Sequence, residues 1–316
     1  KIFGIIGCVR LFFGPIFGQE LPFMTSRKQL TTYLLMALLL FLWGSFAAVS
    51  KWSMRDIDSW QMQFYMFAVA LFTMLCMLPF SGRRKQLKSI PKTTLAKLCL
   101  YGLFSYLYYA FYTASLKSIP ASEASMLNYL FPVLIVLLAV IIEREKLTWP
   151  KMFLLGTGLA GTFLIVTSGS IAGFVLTNAA GDLLAVLGAF SWALFTVLGK
   201  RDRTPLFASI FVYVVVSFVC SAVSLFLFSE WTVPEPPVLA GIVWLSLSNI
   251  VFAYFIWFRI LQMAPVALVS GMSYITPFVT LMFIFVLLGE RVTLVQGAGF
   301  LLIMAGVLLY RRLERE

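Results

Sequence analysis

The sequence contains no histidine, and only 13 of its 316 residues are acidic. Without imidazole there is no ordinary proton shuttle at neutral pH, no imidazole metal ligand and no histidine-based catalytic triad. Any proton chemistry would have to use a carboxylate. The four cysteines, Cys8, Cys76, Cys99 and Cys220, lack CxxC spacing, and three lie inside apolar runs, as small buried residues do. No Walker A sequence or nucleophile elbow occurs. The one GxGxxG, Gly156 to Gly161, sits inside an apolar run with no strand before it. That context favours helix packing through small residues over dinucleotide binding. No catalytic residue, cofactor or metal is expected, and an enzyme is not expected.

Charge of either sign is scarce, at 12% of residues, while 61% are hydrophobic. A soluble domain holds about 45–50% apolar residues, so a mean hydropathy of +0.96 points to lipid as the main solvent. The net charge of +11 comes from Lys and Arg in short clusters between apolar runs, not along one amphipathic face. Such clusters are topology signals, so the bilayer is the expected partner and nucleic acid is not.

A hydrocarbon core about 30 Å thick takes roughly 20 helical residues. Five runs precede a polar, Gly-containing stretch: Leu30 to Trp52, Trp60 to Phe80, Leu95 to Leu116, Ala121 to Ile142 and Trp149 to Ser168. Five follow it: Gly181 to Gly199, Phe207 to Phe228, Val238 to Leu261, Pro265 to Leu288 and Val292 to Tyr310. Ten spans from residue 24 onward place 18 Lys and Arg on one side and 4 on the other, the four being Lys51, Arg55, Lys117 and Arg291. The positive-inside rule then puts both termini in the cytoplasm. Residues 1–23 do not fit this pattern. The run Ile2 to Phe17 carries Arg10 and is broken by Gly4, Gly7, Gly14 and Pro15, and no small-residue cleavage site follows. They are expected to be a non-spanning, non-native extension, with Met24 as a natural start.

The chain is duplicated. Ser125, Tyr129 and Pro132 recur 145 residues later as Ser270, Tyr274 and Pro277, as do Pro120 at Pro265, Glu145 at Glu290, Thr148 at Thr293 and Gly161 at Gly306. Trp43 and Lys51 recur at Trp192 and Lys200 with an offset of 149. Five spans per repeat is an odd number, so the second repeat enters the membrane from the opposite side. The expected domains are 24–170 and 171–316, each a five-helix repeat.

Candidate site residues follow from polar stripes inside these runs. At 100° per residue, Ser125, Asn128, Tyr129 and Pro132 share an arc of about 100° on the fourth run, and Ser270, Ser273, Tyr274 and Pro277 the equivalent arc on the ninth. A polar stripe facing lipid is costly, so it faces other helices or a water-filled path. Interhelical hydrogen bonding and substrate binding both account for a single such residue; the duplication favours binding. Pro132 and Pro277 each remove a backbone donor and are expected to kink their helices. The third run presents Tyr101, Ser105, Tyr108, Tyr112 and Ser115 within about 80°. Its repeat partner presents Ser246, Asn249, Ala253 and Trp257, and Trp43 and Trp192 complete an aromatic wall suited to an aromatic or amphipathic ligand. Glu123 points about 140° away from Asn128. It is either a coupling carboxylate or a first-turn partner of the helix dipole. Glu145 and Glu290 stand at repeated corners before Thr148 and Thr293, which are expected to cap the next helix; a gating ion pair is the other reading.

Trp43-Gly44-Ser45 with Lys51, Pro120 with Asn128 to Pro132, Glu145-Lys146-Leu147, Pro265, Pro277 and Gly289 to Val292 resemble the drug/metabolite transporter superfamily, in particular exporters built from two EamA-like domains. Glu123 with Met126 to Pro132 is similar to a stretch of bacterial aromatic amino acid exporters, which have Trp where this chain has Phe131. The resemblance implies an all-α membrane protein, a basket of ten helices in which the first four of each half surround a central cavity. It implies an alternating-access exporter of small metabolites in the bacterial inner membrane, with amino acids, including aromatic ones, as the leading cargo. Cationic drugs or nucleoside-like metabolites are the alternative. A monomer or weak dimer is expected.

Overall fold

A computed structural model describes residues 26–54, 56–80, 82–119, 121–169, 177–288 and 293–313. Among the described residues the regular structure is entirely helical. The first repeat contributes α1 (Ser26–Gly44), α2 (Phe46–Ser53), α3 (Ser59–Met77), the short α4 (Arg83–Lys88), α5 (Lys92–Ser118), α6 (Ala121–Asn128), α7 (Phe131–Glu143) and α8 (Trp149–Thr167). The second contributes α9 (Ala179–Arg201), α10 (Leu206–Phe228), α11 (Pro236–Leu245), a π-helical turn (Ser246–Phe252), α12 (Ala253–Leu261), α13 (Val266–Ser273), α14 (Thr276–Leu288) and α15 (Leu294–Leu313).

Eight helical stretches among the described residues are long and apolar enough to cross a bilayer. Two of the ten expected spans fall outside that set for visible reasons. The first breaks at Ser45, whose hydroxyl donates to the Leu42 carbonyl at 2.7 Å, leaving a shorter apolar helix over Lys28–Gly44. The third, α5, is 27 residues long but rich in tyrosine, serine and threonine. The expectations for residues 1–23 and for Glu290 fall outside the described residues.

Both expected kinks have the same local cause. Proline cannot donate to the carbonyl one turn earlier, so α6 and α7 part at Tyr129–Leu130 and α13 and α14 at Tyr274–Ile275. The chain tightens there: Leu130 N donates to Leu127 O at 3.1 Å and Ile275 N to Met272 O at 3.1 Å, three residues back instead of four. In the second repeat the Thr276 hydroxyl donates to the Ser273 carbonyl at 2.7 Å and takes the place of the missing amide. The equivalent position in the first repeat is Phe131, which has no hydroxyl to offer.

The Thr148 cap expected from sequence does not form. Thr148 precedes α8 with extended dihedrals, but its buried hydroxyl has no partner. Pro150, the second helical residue, has no N–H to give it. The corner is tied instead by Lys151, whose Nζ donates to Glu145 Oε2 at 3.0 Å and to the Lys146 carbonyl at 2.9 Å. At Thr293 the expected cap is present: Gln296 N donates to its hydroxyl at 3.3 Å, and Gln296 Oε1 accepts from Thr293 N at 2.9 Å.

Lipid tails offer no hydrophobic drive between helices, so close packing must hold them together. Helices α8 and α15 meet along a glycine seam where a Cβ on Gly161 would stand 2.5 Å from the Gly299 carbonyl, and one on Gly299 2.6 Å from the Gly161 carbonyl. Gly158 makes room for the Tyr274 ring. The GxGxxG run is therefore a helix-packing motif, and its first glycine, Gly156, faces open space. Overpacking a filled site costs about 1–3 kcal/mol. Gly161→Val is expected to lower the melting temperature of the detergent-solubilised protein by that equivalent and Gly156→Ala to leave it unchanged; equal melting of the two variants would refute the seam.

Candidate functional site

A cavity of about 330 Å³ opens where α5 and α8 end and α6 and α15 begin. Eight of its eighteen lining residues are aromatic: Trp43, Phe46, Tyr108, Tyr109, Tyr112, Tyr129, Phe131 and Trp192. Ser125, Asn128, Asn249, Thr276, Thr280 and Gln296 supply polar groups, and Ile165, Val166, Pro277 and Leu281 close the remainder. Among the described residues no charged side chain lines it.

The α5 face forms because residues four apart share one side of a helix. Tyr108 and Tyr112 stack, their ring planes 4° apart and centroids 6.1 Å apart. Tyr108 also meets Trp192 at 5.0 Å, and Trp192 meets Trp43 edge-on at 5.8 Å. The Tyr112 hydroxyl lies 3.2 Å from Ser125 Oγ, joining α5 to α6. Asn128 is 6% exposed, and its Oδ1 has no hydrogen-bond partner. The Asn128 side chain also stands within hydrogen-bonding reach of the Tyr108 hydroxyl.

Asn249 reaches the cavity from the π-helical turn. That turn is held by Ser246 Oγ donating to Met66 O at 2.7 Å and by Ser248 Oγ donating to Trp244 O at 2.6 Å. Its wider winding rotates everything after it, which is why Trp257 leaves the face that regular α geometry assigns it. Trp257 is fully buried behind Trp43 and Trp192, and its Nε1 donates to Thr196 Oγ1 at 3.1 Å.

Ser105, Ser270, Ser273 and Tyr274 are also off the cavity wall. Ser105 Oγ lies 2.7 Å from the Tyr254 hydroxyl. Ser273 Oγ donates to the Ser270 carbonyl at 2.5 Å, whereas the Ser270 and Tyr274 hydroxyls are buried without partners. All eight residues of α13 are buried, enclosed by α7, α8, α12 and α15 among others. Beneath the cavity Phe195 packs on Tyr213, Tyr254 and Phe258 at 5.1–5.2 Å and forms an aromatic floor.

Several wall residues were not among the candidates. Tyr109, whose hydroxyl donates to the Asn249 carbonyl at 3.4 Å, has a sequence signal in its repeat partner Tyr254. Thr276 lies within the duplicated stretch itself. Phe46, Thr280 and Gln296 have no such signal; Gln296 is aimed by Nε2 donating to Ser168 Oγ at 3.0 Å.

None of the acidic candidates within the described residues lines the cavity. Glu123 accepts from Thr177 N at 2.7 Å and from Thr177 Oγ1 at 2.8 Å, tying α6 to the segment before α9. Glu145 lies at the far end, where Lys200 reaches Glu143 at 2.5 Å and Glu145 at 3.5 Å while Lys151 holds Glu145 at 3.0 Å. Burial works against the Glu145 charge, but the hydrogen bond and charge of Lys151, with Lys200 behind them, outweigh it and hold the carboxyl below its ordinary value.

Comparison with known proteins agrees with this architecture. The chain is 29% identical over 287 residues to an uncharacterized transporter of Archaeoglobus fulgidus, covering 88% of this chain and 96% of that one. It is 30% identical over 202 residues to the aromatic amino acid exporter YddG of Salmonella typhimurium, covering 60% of this chain and 66% of that one. A crystal structure with 23% identity superposes with a TM-score of 0.78 over 90% of this chain and 98% of its own, a likeness of fold. Residues 30–167 and 179–312 each match the model of the EamA-like transporter family. With a unit of that family in each half, and apolar helices long enough to cross a bilayer around an aromatic cavity, the chain is a membrane transporter and belongs to the EamA-like transporter family.

Proposed function

We propose that the chain is an alternating-access exporter of small metabolites in a bacterial cytoplasmic membrane, with both termini cytoplasmic and amino acids, including aromatic ones, as cargo. Its ten spans form two five-span repeats, 24–170 and 171–316, of opposite orientation. The helix contacts support that symmetry: α1 packs on α12 as α9 packs on α5, while α3 pairs with α10 and α8 with α15. Exchange of the repeats maps this set of contacts onto itself. The distribution of Lys and Arg then orients the cavity to the outside and the aromatic floor to the cytoplasm.

The observation that carries the reading is Asn128 Oδ1, a buried acceptor without a partner in an aromatic cavity. It would take a donor such as an ammonium, with Tyr108, Tyr112, Tyr129 and Trp192 available to a ring. Among the described residues no carboxylate lines the cavity, which favours a zwitterion over a dedicated cationic cargo. A charged hydrogen bond contributes about 1.5–3 kcal/mol, so Asn128→Ala is expected to reduce aromatic amino acid counterflow in proteoliposomes about 10-fold or more, with Tyr129→Ala similar. Unchanged rates in both variants would remove the cavity from the transport path.

The repeats differ in one respect that alternation explains. Ser125, Asn128 and Tyr129 line the cavity, while their counterparts Ser270, Ser273 and Tyr274 are packed away. Exchanging the two repeat conformations opens the second stripe to the cytoplasm. In a background lacking native cysteines, Ser270→Cys is expected to react with an impermeant thiol reagent in inside-out vesicles but not in right-side-out ones; Ser125→Cys should do the reverse. Equal reactivity of Ser270→Cys from both sides refutes the exchange.

In the outward-open state the Glu143–Lys200–Glu145–Lys151 cluster would hold the cytoplasmic ends together. Glu145 has a folded pKa below its unfolded one. Its contribution is therefore complete above the ordinary glutamate value, about 4.3, and is lost as pH falls through the lower folded value. The Glu145-dependent part of thermal stability is expected to be flat near neutral pH and to fade only in acid, and Glu145→Gln to remove that acid limb. A Glu145-dependent loss centred near neutrality would contradict the assignment.

A further inference from the structure

A second cleft lies at the opposite end of the bundle, between the start of α5 and the end of α9. Its volume is about 680 Å³, and it belongs to neither the cavity nor the ion-paired cluster. Lys97, Arg201 and Arg203 line it, and none of the three ion-pairs with a carboxylate. The one acid in its lining, Asp202, is already engaged: Oδ1 accepts from Thr204 N at 3.1 Å and Thr204 Oγ1 at 2.8 Å, and Oδ2 accepts from Ser209 Oγ. The adjoining α4 reads Arg-Arg-Lys-Gln-Leu-Lys, with Arg84, Lys85 and Lys88 exposed and no acid. Gln86 Oε1, from that helix, is buried in the lining without a partner.

Part of the lining is apolar: Leu100, one turn beyond Lys97 on α5 and 47% exposed, together with Ile90, Pro91 and Leu198. Uncompensated cations, a free acceptor and an apolar flank running along a membrane helix match one ligand better than a soluble anion. We propose that this cleft binds an anionic phospholipid with a hydroxyl-bearing headgroup, its phosphodiester among Lys97, Arg201 and Arg203, its hydroxyl donating to Gln86 Oε1 and an acyl chain lying against Leu100. Basic pockets between membrane helices bind anionic headgroups by this combination of charge and lipid contact. The inference does not depend on the cargo or on the direction of transport.

Delipidated full-length protein in neutral detergent is offered phosphatidylglycerol, phosphatidylethanolamine or soluble glycerol phosphate. Retained lipid is read by native mass spectrometry and stabilisation by the shift in melting temperature. Phosphatidylglycerol is expected to be retained about 10-fold over phosphatidylethanolamine, and to raise the melting temperature where glycerol phosphate does not. The double variant Lys97→Gln/Arg203→Gln should lose that preference, whereas Arg84→Gln/Lys85→Gln, which removes equal charge beside the cleft, should keep it. Arg201 is left in place because it also donates to the Ile142 carbonyl. Gln86→Leu, which preserves every charge, should lower phosphatidylglycerol retention several-fold and guards against misfolding of the double variant. Equal retention of the two lipids, equal loss in both double variants, or equal stabilisation by glycerol phosphate overturns the proposal.

Discussion

A helix that breaks away from bulk water must find new partners for the backbone groups it releases. Two helices here break at repeat-related prolines, and they solve the problem differently. In the second repeat Thr276 caps the Ser273 carbonyl from one side of the break, and α13 packs tightly against its neighbours. In the first repeat Phe131 occupies the Thr276 position, and the residue whose carbonyl Pro132 frees is Asn128, in the cavity wall. Both breaks border the void, since Thr276 and Pro277 line it as Asn128 and Phe131 do, but only the second carries a hydroxyl that caps the freed carbonyl.

The glycine seam and the aromatic floor fix how far the void extends. Gly158 lets the Tyr274 ring lie against α8, and Gly161 and Gly299 bring α8 and α15 into backbone contact. On the other side Trp192 belongs to both regions, lining the cavity and packing on Phe195 at 5.5 Å below it. Large rings fill space with few rotatable bonds, so a small rotation of one helix can move a whole layer. The buried, unpartnered hydroxyls of Ser270 and Tyr274 lie within this closed region. They leave the packed arrangement less favourable than a fully satisfied core would be.

Much of this was legible in the sequence, because lipid imposes rules that sequence patterns express directly. Run lengths gave the helices, prolines gave the breaks, and the 145-residue offset pointed to the stretch around Asn128. What sequence periodicity missed has identifiable causes. It assumes 100° per residue, so the π-helical turn at Ser246–Phe252 displaced Trp257 from its expected face. It treats repeat-related residues as equivalent, whereas the two repeats are packed differently: α13 is enclosed by its neighbours, so Ser270 and Ser273, with Tyr274 after them, are buried. It judged Thr148 by residue type alone, although Pro150 removes an N–H that a cap would use. Phe46 and Gln296 carry no local mark, since their role depends on which helix ends converge.

Charge is distributed as sharply as polarity. Among the described residues the cavity wall has none, while the far end concentrates Lys200 and Lys151 between Glu143 and Glu145 and the uncompensated Lys97 and Arg203 nearby. An ion pair at a membrane boundary can trade its partner for water at modest cost, whereas the same pair in the cavity would carry a desolvation penalty of several kcal/mol per ion. With ionic contacts at the end and aromatic contacts in the middle, each kind of interaction stands where its desolvation cost is lowest.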